Sequence, residues 1–83
     1  MESLVRSVSA FGAALRRRRR LLDWSQHHLG ERINLRQATI SAIEAGTGDV
    51  KLSTVMEALA ALDLELVIRP RSGATDTEFA DAS

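Results

Sequence analysis

The chain is 83 residues long and has no cysteine, so it forms one small domain that neither disulfides nor a thiolate zinc site can support. No apolar run approaches the roughly 20 residues that span a membrane, and Glu2, Ser3, Arg6 and Ser7 interrupt any signal-peptide core, which points to a soluble intracellular protein. Formal net charge is zero, but residues 1–40 carry eight arginines against three acids, while residues 41–83 carry three basic residues against eight acids; such asymmetry suggests one face for phosphates and another for something else.

Residues 1–8 carry no clear signal and are expected to form an N-terminal arm. Ser9 is a plausible N-cap for a first helix from about Ala10 to Leu22. Val8, Phe11, Leu15 and Leu22 recur at helical spacing and should face the core. Arg16 to Arg20 wrap fully around this helix, since five consecutive positions sweep about 400°. At least one arginine must therefore point inward, and Arg18 and Arg19 lie on or near the apolar face. A buried arginine needs a carboxylate partner. Arg16, Arg17 and Arg20 are either a solvated basic face or phosphate contacts.

Asp23 to Ser25 break the helix, and Ser25 can cap a second helix from Gln26 to Arg32 with Leu29 and Ile33 inward. Gln26 then sits in the first turn, where its amide and the nearby backbone N–H groups can reach a phosphate oxygen. His27 and His28 are adjacent, point to different sides and have no third histidine to join them, so no metal site is expected. Gly30 costs this helix roughly 1 kcal/mol relative to alanine, a cost easier to accept where another helix packs closely. The turn is Ile33-Asn34-Leu35, and Asn34 tolerates a left-handed conformation. A third helix follows at once, and two short helices joined so tightly make a helix-turn-helix.

The stretch Leu35 to Gly46 reads as that third helix. Ile40 and Ile43 give it an apolar side, and Gly46 stands where a left-handed residue ends a helix. Its other side carries Arg36, Gln37, Ala38 and Ser41 and no carboxylate. Arg and Gln are the side chains that make paired hydrogen bonds to guanine and adenine edges. These four residues are the expected base contacts of a recognition helix in a DNA major groove, against the blander reading of an ordinary surface helix. Gln26, Ser25, Thr39 and Arg16 are the expected phosphate contacts.

Residues 47–51 form a polar loop, and a fourth helix runs from Leu52 or Ser53 to Leu62. Leu52, Val55, Met56, Leu59 and Leu62 give it more apolar surface than one small domain needs, which suggests a dimer contact. Residues 64–70 alternate as a strand, with Leu64, Leu66 and Ile68 on one face. The sequence offers no second strand to pair with it, so its backbone groups require another chain, most simply the same strand of a second copy, against the blander reading of a short extended tail with no partner. Leu64, Leu66, Val67, Ile68, Leu59 and Leu62 are thus the expected dimer contacts. The domain itself covers residues 9–63. Residues 71–83 read as a disordered acidic tail with Phe79 its one large apolar residue.

Arg19, then Trp24-Ser25-Gln26-His27-His28-Leu29-Gly30, then Ala38-Thr39-Ile40-Ser41-Ala42-Ile43-Glu44-Ala45-Gly46, resembles the phage-repressor (Cro/C1, or XRE) helix-turn-helix over about Phe11 to Leu62. That resemblance implies an ion pair between Arg19 and Glu44. The run Arg36-Gln37-Ala38-Thr39-Ile40-Ser41, with Leu52-Ser53-Thr54 and Leu62-Asp63-Leu64-Glu65-Leu66, is more particular and resembles HipB-like antitoxins. It implies an all-α, compact domain of four to five helices whose C-terminal strand pairs across a homodimer. It also implies Gln37 and Ala38 as base contacts with Arg36 and Ser41 beside them, Gln26 on a phosphate, a palindromic operator in double-stranded DNA, and a HipA-type kinase toxin as partner in a bacterial cytoplasm. Gly30, Asn34 and Arg36 depart from the wider family, which has Ala, Gly, and Ser or Thr there. Arg36 replaces the usual cap with a charge that opposes the helix dipole, a local cost that a phosphate or guanine can offset. A stand-alone regulator without a toxin, and an interaction module that has lost DNA binding, remain open at this stage. No cofactor is expected, and no paired carboxylates, Cys/His set or phosphate loop suggests an enzyme.

Overall fold

The computed structural model describes residues 3–71, which form four α-helices. The tail residues 72–83, Phe79 among them, lie outside the described residues. Helix α1 is Val8–Leu21, α2 Gln26–Ile33, α3 Gln37–Ala45 and α4 Leu52–Ala61. Helix α3 packs on both α1 and α2, and α2 packs on α4. Leu15, Leu29, Ile33, Ile40, Ile43, Ala58, Leu59 and Leu62 form the buried core, with Phe11, Leu22, Trp24, Leu35, Val55 and Leu64 against it.

The first helix begins two residues earlier than its expected start. Its N-cap is Ser7, whose Oγ accepts from the Ala10 amide at 3.0 Å, so Ser9 lies within the first turn and the arm is shorter. Val8 consequently falls beyond the end of the core and is exposed. Ser25 caps α2 as expected, its Oγ accepting from the His28 amide at 3.0 Å.

All four helices end in the same way. The amides of Trp24, Leu35, Thr47 and Leu64 reach back five residues to the carbonyls of Arg19, Gly30, Ala42 and Leu59, at 2.8–3.0 Å. Each closure passes through one left-handed residue: Asp23, Asn34, Gly46 and Asp63, with φ of 63°, 59°, 74° and 56°. This is the geometry by which orphan C-terminal carbonyls are satisfied. Asn34 and Gly46 were expected in this role; Asp23 and Asp63 share the same short polar side-chain chemistry. The residue after the left-handed position is Trp24, Leu35 or Leu64 in three cases, and each of these packs on the core. Gly30 also finds its explanation here. A Cβ at that position would overlap the Leu35 carbonyl, so the close neighbour is the turn and not a helix.

Helix α4 is rotated so that Ala58, Leu59 and Leu62 point inward, and Leu62 is fully buried. Leu59 and Leu62 therefore belong to the core of their own chain and offer little surface to a second one. Leu52 and Met56, at 68% and 48% exposure, are the apolar residues α4 leaves outside. Residues 65–70 follow the helical body without regular secondary structure, with Leu66, Val67 and Ile68 exposed. Among the described residues there is no strand ladder, and residues 65–70 form no backbone–backbone hydrogen bond.

Candidate nucleic-acid interface

Glu44, one residue from the end of α3, is buried and so is Arg19 of α1. A buried charge is tolerated only when it is paired and its remaining donors are satisfied. Arg19 Nε donates to Glu44 Oε2 at 2.7 Å and Nη2 donates to Oε1 at 2.9 Å, a two-pronged pair. The third nitrogen, Nη1, donates to the Trp24 carbonyl at 2.7 Å. Gln26 Nε2 adds a bond to Glu44 Oε1 at 3.2 Å. Burial pushes the Glu44 carboxyl upward, but the hydrogen bonds from Arg19 and Gln26, with the positive charges of Arg19 and Arg16, outweigh it and hold the group below the usual glutamate range. The Glu44 hydrogen bond correspondingly raises Arg19, against its own burial.

This knot fixes three elements at once: the last turn of α1, the first turn of α2 and the last turn of α3. With Ile40, Ile43 and Glu44 turned inward, α3 presents Gln37, Ala38 and Ser41 outward, all exposed. Arg36 precedes them as N-cap in extended conformation, φ −73° and ψ 152°, and no side chain caps this helix. Exposed Thr39 shares the first turn, which carries no acid. A helix start with free amides, no carboxylate and an arginine beside it suits an anion or the acceptor edge of a base.

The five consecutive arginines have separate fates. Arg19 is the buried partner of Glu44. Arg16 is exposed, and its charge is felt by Glu44, which places it on the flank of the knot. Arg17 Nη2 donates to Ser3 Oγ at 3.0 Å and holds the N-terminal arm on the back of α1. Arg18 Nε donates to the Leu62 carbonyl at 2.8 Å. Arg20 is exposed. Gln26 was expected on a phosphate; its amide is already engaged by Glu44 through one N–H, which orients it and leaves its second N–H for another acceptor. The Ser25 hydroxyl accepts from the His28 amide within α2, so any phosphate contact it makes must use its own O–H.

Trp24, which stands in the helix break and opens the family-like run to Gly30, organises the outer face of α2. His28 meets its ring edge-on at 4.6 Å between centroids, and the Arg32 guanidinium lies 5.2 Å above it. His27 pairs instead with Glu31, at 3.4 Å. The i, i+4 and i, i+8 spacing of Trp24, His28 and Arg32 is a helical stripe, and that spacing was the available signal.

The helix-turn-helix family profile matches residues 15–68, well over half of the chain. The chain belongs to the Cro/C1-type (XRE) helix-turn-helix family. Among solved structures it is similar to HipB in the HipA–HipB–O2–O3 complex, with 26% identity, a TM-score of 0.75, and 84% of this chain and 99% of that one covered. It is equally similar to HipB in the HipB–O4 20mer complex, at 26% identity and a TM-score of 0.76, with 84% and 99% covered. The restriction-modification controller protein C.AhdI from Aeromonas hydrophila is 29% identical, with a TM-score of 0.66 over 70% of this chain and 84% of that one. No curated protein sequence matches the chain. The protein is thus a HipB-like member of the family, a DNA-binding regulator in type. Among the described residues no helix is long and apolar enough to cross a membrane.

Proposed function

We propose that this protein is a homodimeric repressor that reads a palindromic operator and acts as the antitoxin of a HipA-type kinase. The observation that carries the DNA half of this reading is the exposed, carboxylate-free edge from Arg36 to Ser41, held in place by the buried Arg19–Glu44–Gln26 knot. Gln37 pairs with an adenine, Arg36 with a guanine or phosphate, and Ala38 and Ser41 lie against neighbouring base edges. Gln26, Ser25, Thr39 and Arg16 contact phosphates and set the register. Two such helices about 34 Å apart would read two half-sites.

The dimer reading is supported by residues 64–70. Leu66, Val67 and Ile68 are exposed and, among the described residues, the backbone of residues 65–70 has no partner, which suits antiparallel pairing with a second copy, and Leu52 and Met56 add apolar surface outside the core. The toxin partner is supported by the likeness to HipB in a complex with HipA. The likeness to a restriction-modification controller favours a second reading, a regulator without a toxin. Purification from the native operon with mass identification of any co-purifying kinase separates the two.

The DNA reading is tested by replacing Gln37. Gln37→Ala should lose about 1–3 kcal/mol of discrimination at one base pair of each half-site, with the rest of the site read as before. Unchanged selectivity across all operator positions would remove Gln37 from the base contacts.

A further inference from the structure

Adjacent helix positions point about 100° apart, so Arg18 and Arg19 leave α1 toward different neighbours. Arg19 ties α1 to the recognition helix α3. Arg18 ties it to the root of the C-terminal ribbon. Its Nε donates at 2.8 Å to the carbonyl of Leu62, the C-cap of α4, where the partial negative charge of the helix end favours a cation. Its Nη2 lies 3.9 Å from a carboxylate oxygen of Asp63, the left-handed residue at which the chain turns out of the helix. The Asp63 side chain is 99% exposed, so the carbonyl bond is the stronger of the two contacts.

Among the described residues, these are the only polar links between α1 and the end of α4. The ribbon begins two residues later. Its exit direction depends on the conformation at Leu62 and Asp63, on the partly buried Leu64, and on this guanidinium.

We propose that Arg18 is a positioning residue for operator spacing. By gripping the Leu62 carbonyl it fixes the angle at which residues 64–70 leave the body, and so the separation of the two recognition helices in the dimer. The inference rests on the dimer reading above. Its reach is set by geometry: one added base pair displaces a half-site by about 3.4 Å along the axis and rotates it around the duplex. A ribbon rigidly joined to the body rejects that change, whereas a loosely joined one follows it.

The sequence has no cysteine, so the single substitution Ala45→Cys, at the exposed end of α3, gives one spin label per chain. The full chain carrying this label should give a narrow inter-label distance distribution. Adding Arg18→Met, which keeps the aliphatic stem and removes the donors, should broaden the distribution while the mass stays that of a dimer. On promoter duplexes whose half-sites are moved by one base pair, the wild type should lose affinity by at least roughly tenfold and the Arg18→Met variant by much less. The base-substitution penalties at Gln37 should be the same in both proteins. If Arg18→Met does not fold, Arg18→Lys, which keeps one donor but not the fork, serves in its place with a smaller broadening. An unchanged distance width or an unchanged spacing preference overturns the proposal. Absence of any inter-label distance in the wild type is a different failure, because it removes the dimer and this inference with it.

Discussion

The helical body and the ribbon that follows it satisfy their polar groups in opposite ways. In the body, every helix C-terminus is closed by its own chain, and the buried Arg19–Glu44 pair is held by four hydrogen bonds from side chains. In residues 65–70 the backbone has no partner among the described residues, and three consecutive apolar side chains face outward. The body is a structure one chain completes; on the proposed dimer reading, the ribbon is half of one. That contrast separates what folds from what associates, and each part can be broken alone.

The largest effect is expected in the body. Glu44→Ala or Arg19→Ala leaves the other charge buried and unpaired, which costs about 3–5 kcal/mol, a large share of the stability of so small a domain. Urea unfolding measures this, and a loss below 1 kcal/mol in both variants would show that the knot is ornamental. The ribbon comes next. Leu66→Asp combined with Ile68→Asp should halve the solution mass and lower operator affinity by about 100-fold or more through lost bivalency. Helical circular dichroism should hardly change, and a variant that remains dimeric would place the interface elsewhere.

A smaller effect sharpens the boundary between stability and recognition. Arg36→Ser supplies the missing cap of α3 and should stabilise the isolated protein by about 0.5–1 kcal/mol while weakening operator binding. Equal or tighter operator binding by this variant would assign Arg36 no role at the DNA. The last effect is a slope. Glu44 sits below its ordinary value of 4.5 in the folded protein. The unfolded chain therefore takes up this proton first as the pH falls. The pair's contribution is complete above the ordinary value and declines as the pH drops below it toward the folded value. Acid titration of the unfolding free energy should show this decline in the wild type and a shallower one in Glu44→Gln.

Much of the candidate site was legible before any coordinates. The apolar spacing of Ile40 and Ile43 placed Arg36, Gln37, Ala38 and Ser41 on the outer edge. The wrap of five arginines required one to turn inward and find a carboxylate. The route by which that arginine is held was not legible, because two of its neighbours act through the main chain or an amide. The Trp24 carbonyl has no side-chain signature, and Gln26 looked like a surface residue until Glu44 stood beside it.

The sequence by itself determined the four helices, the cap at Ser25, the left-handed closures at Asn34 and Gly46, and the need for a buried ion pair, because each is set within about one helical turn. Only the tertiary structure decided that Leu59 and Leu62 turn inward while Leu52 and Met56 turn out, that Arg18 grips a carbonyl 44 residues away, and that Asp63 takes the left-handed turn at the end of α4. The rotation of a helix about its axis is fixed by everything that packs against it, and a backbone carbonyl is the same group at every residue.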